Sequence, residues 1–195
     1  MRHHVIYVPG LGDYRTRMQR LAPIYWQLFG ITGHYYLMRW NDKQSFEPKL
    51  AGLLEMIDQL SINGDKVSLV GTSAGASAVL DAFAVRQEKV SGVVCICGKI
   101  NHPETIRPGV FIENPAFKES LANLQLVLPG FDEDARAQIM SIRPLADHSV
   151  PPPDTVIDGA RALVVPTYGH VASIAFSLIF AAPGFIGFLK SLPPK

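Results

Sequence analysis

Lys66-Val67-Ser68-Leu69-Val70-Gly71-Thr72-Ser73-Ala74-Gly75-Ala76-Ser77-Ala78-Val79-Leu80 changes character at its glycines. Before them lies a short β-branched run with the features of a buried strand. After them lies a run of small apolar residues that suits a helix packed closely on its neighbours. The pentapeptide Gly71-Thr72-Ser73-Ala74-Gly75 joins the two, so its glycines let the backbone crowd through a sharp turn and Ser73 is thrust up at the helix N-terminus. An ordinary strand-to-helix turn capped by Thr72 or Ser73 would use the same residue types. The flanking strand and small-residue helix favour the reactive serine.

Working outward, similar strand-like runs recur at 4–8, 35–40, 91–97, 138–143 and 161–167, giving six strands with 66–71. Helical patterns separate them near 14–29, 45–61, 74–86, 114–127 and 171–181, with a short one near 132–137. In the second, Leu50, Leu53, Leu54, Ile57 and Leu60 keep helical spacing and Asn63-Gly64 ends the pattern. Strands alternating with helices predict an α/β fold: a three-layer α/β/α sandwich around a mostly parallel six-stranded sheet. The length of 195 residues fits one domain over 1–195, and Pro103, Pro108, Gly109, Pro115 and Pro129 mark 98–131 as a small, irregular, cap-like excursion.

Composition excludes several function classes. Hydrophobic residues make up 48% and charged residues 18%, too apolar a chain for disorder. The net charge is +1 with no basic cluster, so nothing attracts a nucleic acid. The residues before the first strand lack the pattern of a signal peptide. Cys95 and Cys97, two apart on an expected strand, would point to one face and form a strained disulfide, so they are expected as packing thiols in the reducing cytoplasm. Val171 to Leu189 is a stretch of 19 residues without a charge. Its spacing nevertheless fits a helix with a buried stripe of Val171, Ile174, Ala175, Leu178 and Ile179 rather than a membrane span. Phe176 and Phe180 fall on its other side, where they would form a homodimer seam or a membrane-surface contact unless 183–189 fold back over them.

A serine hydroxyl needs a base before it becomes a useful nucleophile. His170 follows the last expected strand through Pro166-Thr167-Tyr168-Gly169, at the end of the sheet where open α/β folds place their sites. His3, His4, His34, His102 and His148 stand in poorer positions. The base in turn needs a carboxylate: Asp147 lies four residues beyond Arg143 and 23 before His170, with Asp154 and Asp158 as rivals, the former as the N-cap of an expected helix over 155–161 and the latter inside it. Two backbone amides are expected to serve as oxyanion donors, that of Ala74 after the serine and that of Leu11 in Pro9-Gly10-Leu11-Gly12-Asp13.

This order of nucleophile, acid and histidine, carried by Gly71-Thr72-Ser73-Ala74-Gly75, Asp147-x-x-Val150-Pro151 and Gly169-His170, resembles the α/β-hydrolase superfamily over residues 4–190. The chain departs from it at Pro9, where the family often has histidine, and lacks two antiparallel N-terminal strands. It is thus similar to the small, nearly capless members. The resemblance implies a serine hydrolase, carboxylesterase-like, that cleaves an ester or thioester of a small substrate through an acyl-enzyme on Ser73, with no cofactor and no metal. An acyltransferase or perhydrolase with the same triad, or a noncatalytic binding protein on this scaffold, are the alternatives. Tyr14, Trp40, Phe117 and Tyr168 are expected around the substrate, with Phe111 and Phe131 also near.

Overall fold

Six strands, β1 (His3–Val8), β2 (Thr32–Tyr35), β3 (Lys66–Thr72), β4 (Val90–Ile96), β5 (Ile139–Ala146) and β6 (Arg161–Tyr168), lie in the order β2-β1-β3-β4-β5-β6. Every neighbouring pair is parallel. The computed structural model describes residues 1–13 and 17–195, so the expected contact at Tyr14 lies outside the described residues. The helices are α1 (Ala22–Trp26), α2 (Phe46–Ser61), α3 (Gly75–Val85), α4 (Pro108–Glu113), α5 (Pro115–Val127), α6 (Glu133–Ala137), α7 (His170–Ile179) and α8 (Ala182–Ser191).

Every residue of β3 and β4 is buried, as strands covered on both faces must be. Strand alternation sorts their side chains into two cores. Ile6, Val8, Val67, Leu69, Val93 and Cys95 meet α2, α3 and α5, while Val5, Tyr7, Val70, Val94 and Ile96 meet α1, α7 and α8. Because all strands run the same way, the chain leaves β1, β3, β5 and β6 at one edge, and the loops that follow them meet there.

Several elements depart from expectation. The second strand is Thr32–Tyr35 rather than 35–40, although the later residues have the stronger β-propensity. Met38 and Trp40 instead bury themselves on either side of a left-handed Arg39 (φ 54°), and Gly33 fits within the strand because α1 leaves no room there for a side chain. The segment 98–131 is more regular than its prolines predict. Pro103, Pro108, Pro115 and Pro129 all begin helical turns, where a missing N–H costs nothing. No helix covers 155–161; a 3-10 turn, Pro152–Thr155, takes its place. Cys95 and Cys97 are free and buried but on opposite faces, because Cys97 lies past the end of β4 with φ 48° and breaks the alternation.

Among the described residues no single helix is long and apolar enough to cross a membrane; the uncharged stretch forms α7 and α8, bent by 60°. The buried face of α7 is Ser173, Ile174, Ser177 and Leu178, so Val171, Ala175 and Ile179 of the expected stripe face outward. Burying Ser173 is acceptable because its hydroxyl donates to the Gly169 carbonyl and accepts from Thr167 Oγ1 at 2.8 Å, which turns this side of the helix toward β6. Phe176 packs half-buried against the second core, whereas Phe180 is 69% exposed.

Between α3 and α5 a buried polar chain runs from Asp81 to the first turn of α3. Ser120 Oγ stands 2.9 Å from Asp81 Oδ2 and 2.8 Å from Ser77 Oγ, which donates to the Ala74 carbonyl at 2.9 Å. Asp81 Oδ1 has no partner among the described residues, and burial pushes the carboxyl up to about 8. A protonated Asp81 can donate to Ser120 and leave each hydroxyl free to donate to the next. The folded state therefore holds one proton more than the unfolded chain between about pH 4 and pH 8. Stability falls by up to about 1.4 kcal/mol per pH unit across that window and is full below it. Asp81→Asn, which donates without titrating, is expected to flatten this slope and to be the more stable protein at pH 8, as measured by urea unfolding from pH 4 to pH 9.

Candidate active site

Ser73 sits between β3 and α3 with φ 51°, a left-handed conformation that strains a residue bearing a side chain. Two close approaches hold it there. A Cβ on Gly75 would stand 2.2 Å from the Val8 carbonyl oxygen, and one on Gly71 would stand 2.4 Å from the Gly75 carbonyl oxygen. Only glycines allow the turn to press α3 against the end of β1. The Ser73 amide donates to the Ile96 carbonyl at 3.0 Å and its carbonyl accepts from Ala76 at 3.1 Å, so the turn is tied both to β4 and to its own helix.

His170 begins α7 directly after Gly169, whose φ is 81° and whose amide donates to the Ala146 carbonyl at 2.9 Å. That bond joins the loop after β6 to the end of β5, one residue before Asp147. The His170 ring bridges the remaining gap, with Nδ1 2.6 Å from Asp147 Oδ2 and Nε2 2.9 Å from Ser73 Oγ. Asp147 is buried, and its other oxygen accepts from the amides of Ser149 and Val150 at 2.8 and 3.0 Å. A carboxylate can only accept, so Nδ1 carries the ring proton and Nε2 is left as acceptor for the serine hydroxyl. The hydrogen bonds thus run in one direction, from Ser73 through His170 to Asp147.

The rival acids are engaged elsewhere. Asp154 is buried in an ion pair with Lys99, and Asp158 is exposed. His4 and His34 contact each other at 2.9 Å at the opposite end of the sheet, where burial holds the neighbouring His3 down to about 4; His102 is exposed beside Glu104. Burial, with Asp147 nearby as a second cause, pushes the Cys97 thiol up to about 12 and keeps it unreactive.

Above Ser73 and His170 lies a cavity of about 450 Å³. Leu11 and Phe117 line it, and Ala74 caps α3 beneath it. Trp40 does not line it: fully buried, it donates its indole N–H to the Pro9 carbonyl at 3.0 Å and so braces the loop that carries Leu11. Tyr168 points away and is 70% exposed, because side chains at the end of an edge strand alternate between core and solvent. Phe111 packs on Phe117 behind the wall and Phe131 on Phe83. Reasoning from sequence missed Gln19, Lys99, Thr105, Arg107 and His148 on the wall. Lys99 follows β4 and His148 adjoins Asp147, so the strand-end rule that pointed to Asp147 and His170 extends to both.

Solved structures with the same architecture include one from the metagenome-derived lipolytic enzymes LipS and LipT, with a TM-score of 0.70 and 15% identity over 97% of this chain and 94% of that one. Est1E from Butyrivibrio proteoclasticus aligns with a TM-score of 0.71 and 14% identity, over 97% and 87%. The monoacylglycerol lipase of Paleococcus ferrophilus aligns with a TM-score of 0.63 and 17% identity, over 96% and 94%. No protein-family model and no curated protein matches the chain.

Gly10 marks how tightly the site is assembled, since a Cβ there would stand 2.7 Å from Ser73 Cβ. Gly10→Ala is expected to lower unfolding free energy by about 1–3 kcal/mol through overpacking. Gly109→Ala in α4, where the added methyl meets nothing within 4 Å, is expected to raise it by roughly 0.5–1 kcal/mol. Urea unfolding of the two variants measures the contrast.

Proposed function

We propose, from the α/β-hydrolase fold of this chain, that it is a serine hydrolase cleaving carboxylic esters or thioesters of small substrates. The observation that carries the reading is the pair of hydrogen bonds joining Ser73, His170 and Asp147 at 2.9 and 2.6 Å. In the proposed reaction Ser73 Oγ attacks the acyl carbonyl as its proton passes to His170 Nε2. Asp147 stabilises the imidazolium, and the amides of Leu11 and Ala74 receive the oxyanion. The tetrahedral adduct collapses when His170 gives that proton to the departing alcohol or thiol, leaving the acyl group on Ser73. Water then attacks the acyl-enzyme with His170 again as base, releasing the acid and restoring the serine. An acyltransferase or perhydrolase would differ only in the second nucleophile, and a noncatalytic binding protein would leave Ser73 unacylated.

We read the chain as one hydrolase domain, with the turn and α4 of the 98–131 segment over part of the cavity, working in the cytoplasm. The outward face of α7, with Val171 75% exposed and Phe180 beside Ile179, is proposed as a homodimer seam or a membrane-surface contact. Light scattering and liposome co-sedimentation of Val171→Gln/Phe180→Gln against wild type distinguish these; a monomer that ignores liposomes removes both.

Covalent labelling of Ser73 by a serine-directed phosphonate tests the hydrolase reading, and no labelling favours the binding protein. With p-nitrophenyl esters of rising chain length, Ser73→Ala and His170→Ala are expected to lower turnover by at least about 10³-fold without unfolding the protein. Asp147→Asn is expected to fall by about 10³–10⁴-fold in kcat because the ring tautomer is lost. Asp154→Asn leaves Lys99 buried without its anion, so it should lose roughly 3–5 kcal/mol of stability and much less turnover. The opposite ranking of kcat would reassign the acid.

A further inference from the structure

Of the three cavities described, the one above Ser73 is the only one whose wall contains no aspartate or glutamate. The second includes Glu104 and Asp158, and the third Glu113. Among the described residues its charged side chains are instead Lys99 and Arg107. Lys99 is 3% exposed, and two of its three N–H donors go to Asp154 and, at 2.7 Å, to Thr105 Oγ1. The third has no acceptor among the described residues. Asp154 neutralises Lys99 from behind and contributes nothing to the wall, so the uncompensated charge is that of Arg107, which has no acidic partner among the described residues.

The backbone that carries Arg107 is held in place, while its side chain is exposed at the cavity rim. Lys99 anchors Thr105, whose hydroxyl donates to the His102 carbonyl at 2.9 Å, and the Ile106 amide closes the same turn on the Pro103 carbonyl. Arg107 follows at once as the residue capping α4. Glu104, the nearest acid in the chain, is turned to the neighbouring cavity and meets His102. The same wall includes the apolar Ile106 and Val110.

We infer that the substrate is an ester bearing a carboxylate a few carbons from the scissile carbonyl, with the methylenes against Ile106 and Val110 and the carboxylate on Arg107 and the spare Lys99 donor. This inference rests on the hydrolase reading and narrows its substrate class. A guanidinium suits the role because its planar fork matches a carboxylate in two parallel hydrogen bonds. Arg107 is a specificity residue here and takes no part in the bond-making steps.

The test compares matched pairs of esters. Mono-p-nitrophenyl glutarate against p-nitrophenyl valerate places the charge on the acyl side, and 4-butyryloxybenzoate against phenyl butyrate places it on the alcohol side. In at least one pair the wild type is expected to favour the anionic ester by about tenfold or more in kcat/KM, through KM. Arg107→Gln and added salt should each reduce that ratio severalfold, and Arg107→Lys should restore part of it. An enzyme that cleaves the neutral esters with ratios at or below one in both pairs, or ratios that ignore Arg107→Gln, overturns the inference and leaves the hydrolase reading standing. If no ester is cleaved, that reading falls. Calorimetric titration with the same pairs then decides separately: tighter binding of an anionic member, lost in Arg107→Gln, supports the cationic subsite, and equal binding of both members overturns it.

Discussion

The closeness of α3 to the end of β1 is the constraint on which the rest of the structure depends. It is set by Gly75 against the Val8 carbonyl and Gly10 against Ser73, contacts that a single added carbon would block. The approach forces Ser73 into its left-handed backbone, lifting its hydroxyl out of the turn, and brings the loop carrying Leu11 beside it. The strain, typically about 1–3 kcal/mol for a residue in such a region, is sustained by the hydrogen bonds that tie Ser73 to β4 and to α3. Trp40, buried among the aromatic side chains beneath, fixes the loop from the other side through the Pro9 carbonyl.

Three buried aspartates illustrate how partners assign a carboxyl its role. Asp147 accepts two backbone amides and the His170 ring, so its contacts fix the direction of that ring. Asp154 has a lysine and becomes a fastener: its backbone carbonyl accepts from the Ile100 and Asn101 amides, locking the loop after β4 to the loop that follows the acid. Asp81 meets only hydroxyls, and burial keeps its proton on. The same side chain is thus partner to an imidazole, ionic clasp and hydrogen-bond donor within one small fold, according to what each helix or loop turns toward it.

The Lys99 clasp also joins the serine turn to the cavity wall. Its amino group reaches the turn that precedes Arg107, while its backbone lies next to the serine turn, with its amide 3.4 Å from the Ser73 carbonyl. A shift in the loop that carries the acid would therefore be felt at the cavity wall as well as at the histidine. Pockets formed by loops from several strand ends gain rigidity in this way without a large cap domain.

The chain order of Ser73, Asp147 and His170, five of the six strands and the inner face of α2 were legible in local pattern, because buried parallel strands and glycine turns leave strong signatures in single residues. Asp147 could be preferred over Asp154 on position alone, but only the folded chain places a lysine on one and a histidine on the other. Packing likewise moved the second strand to Thr32–Tyr35, turned Cys97 to the face opposite Cys95, rotated α7 so that Val171 faces solvent, and drew Trp40 into the core. None of these outcomes has a local cause. Each depends on which distant backbone or side chain offers a hydrogen bond or a space, and that is fixed only when residues far apart in the chain are brought together.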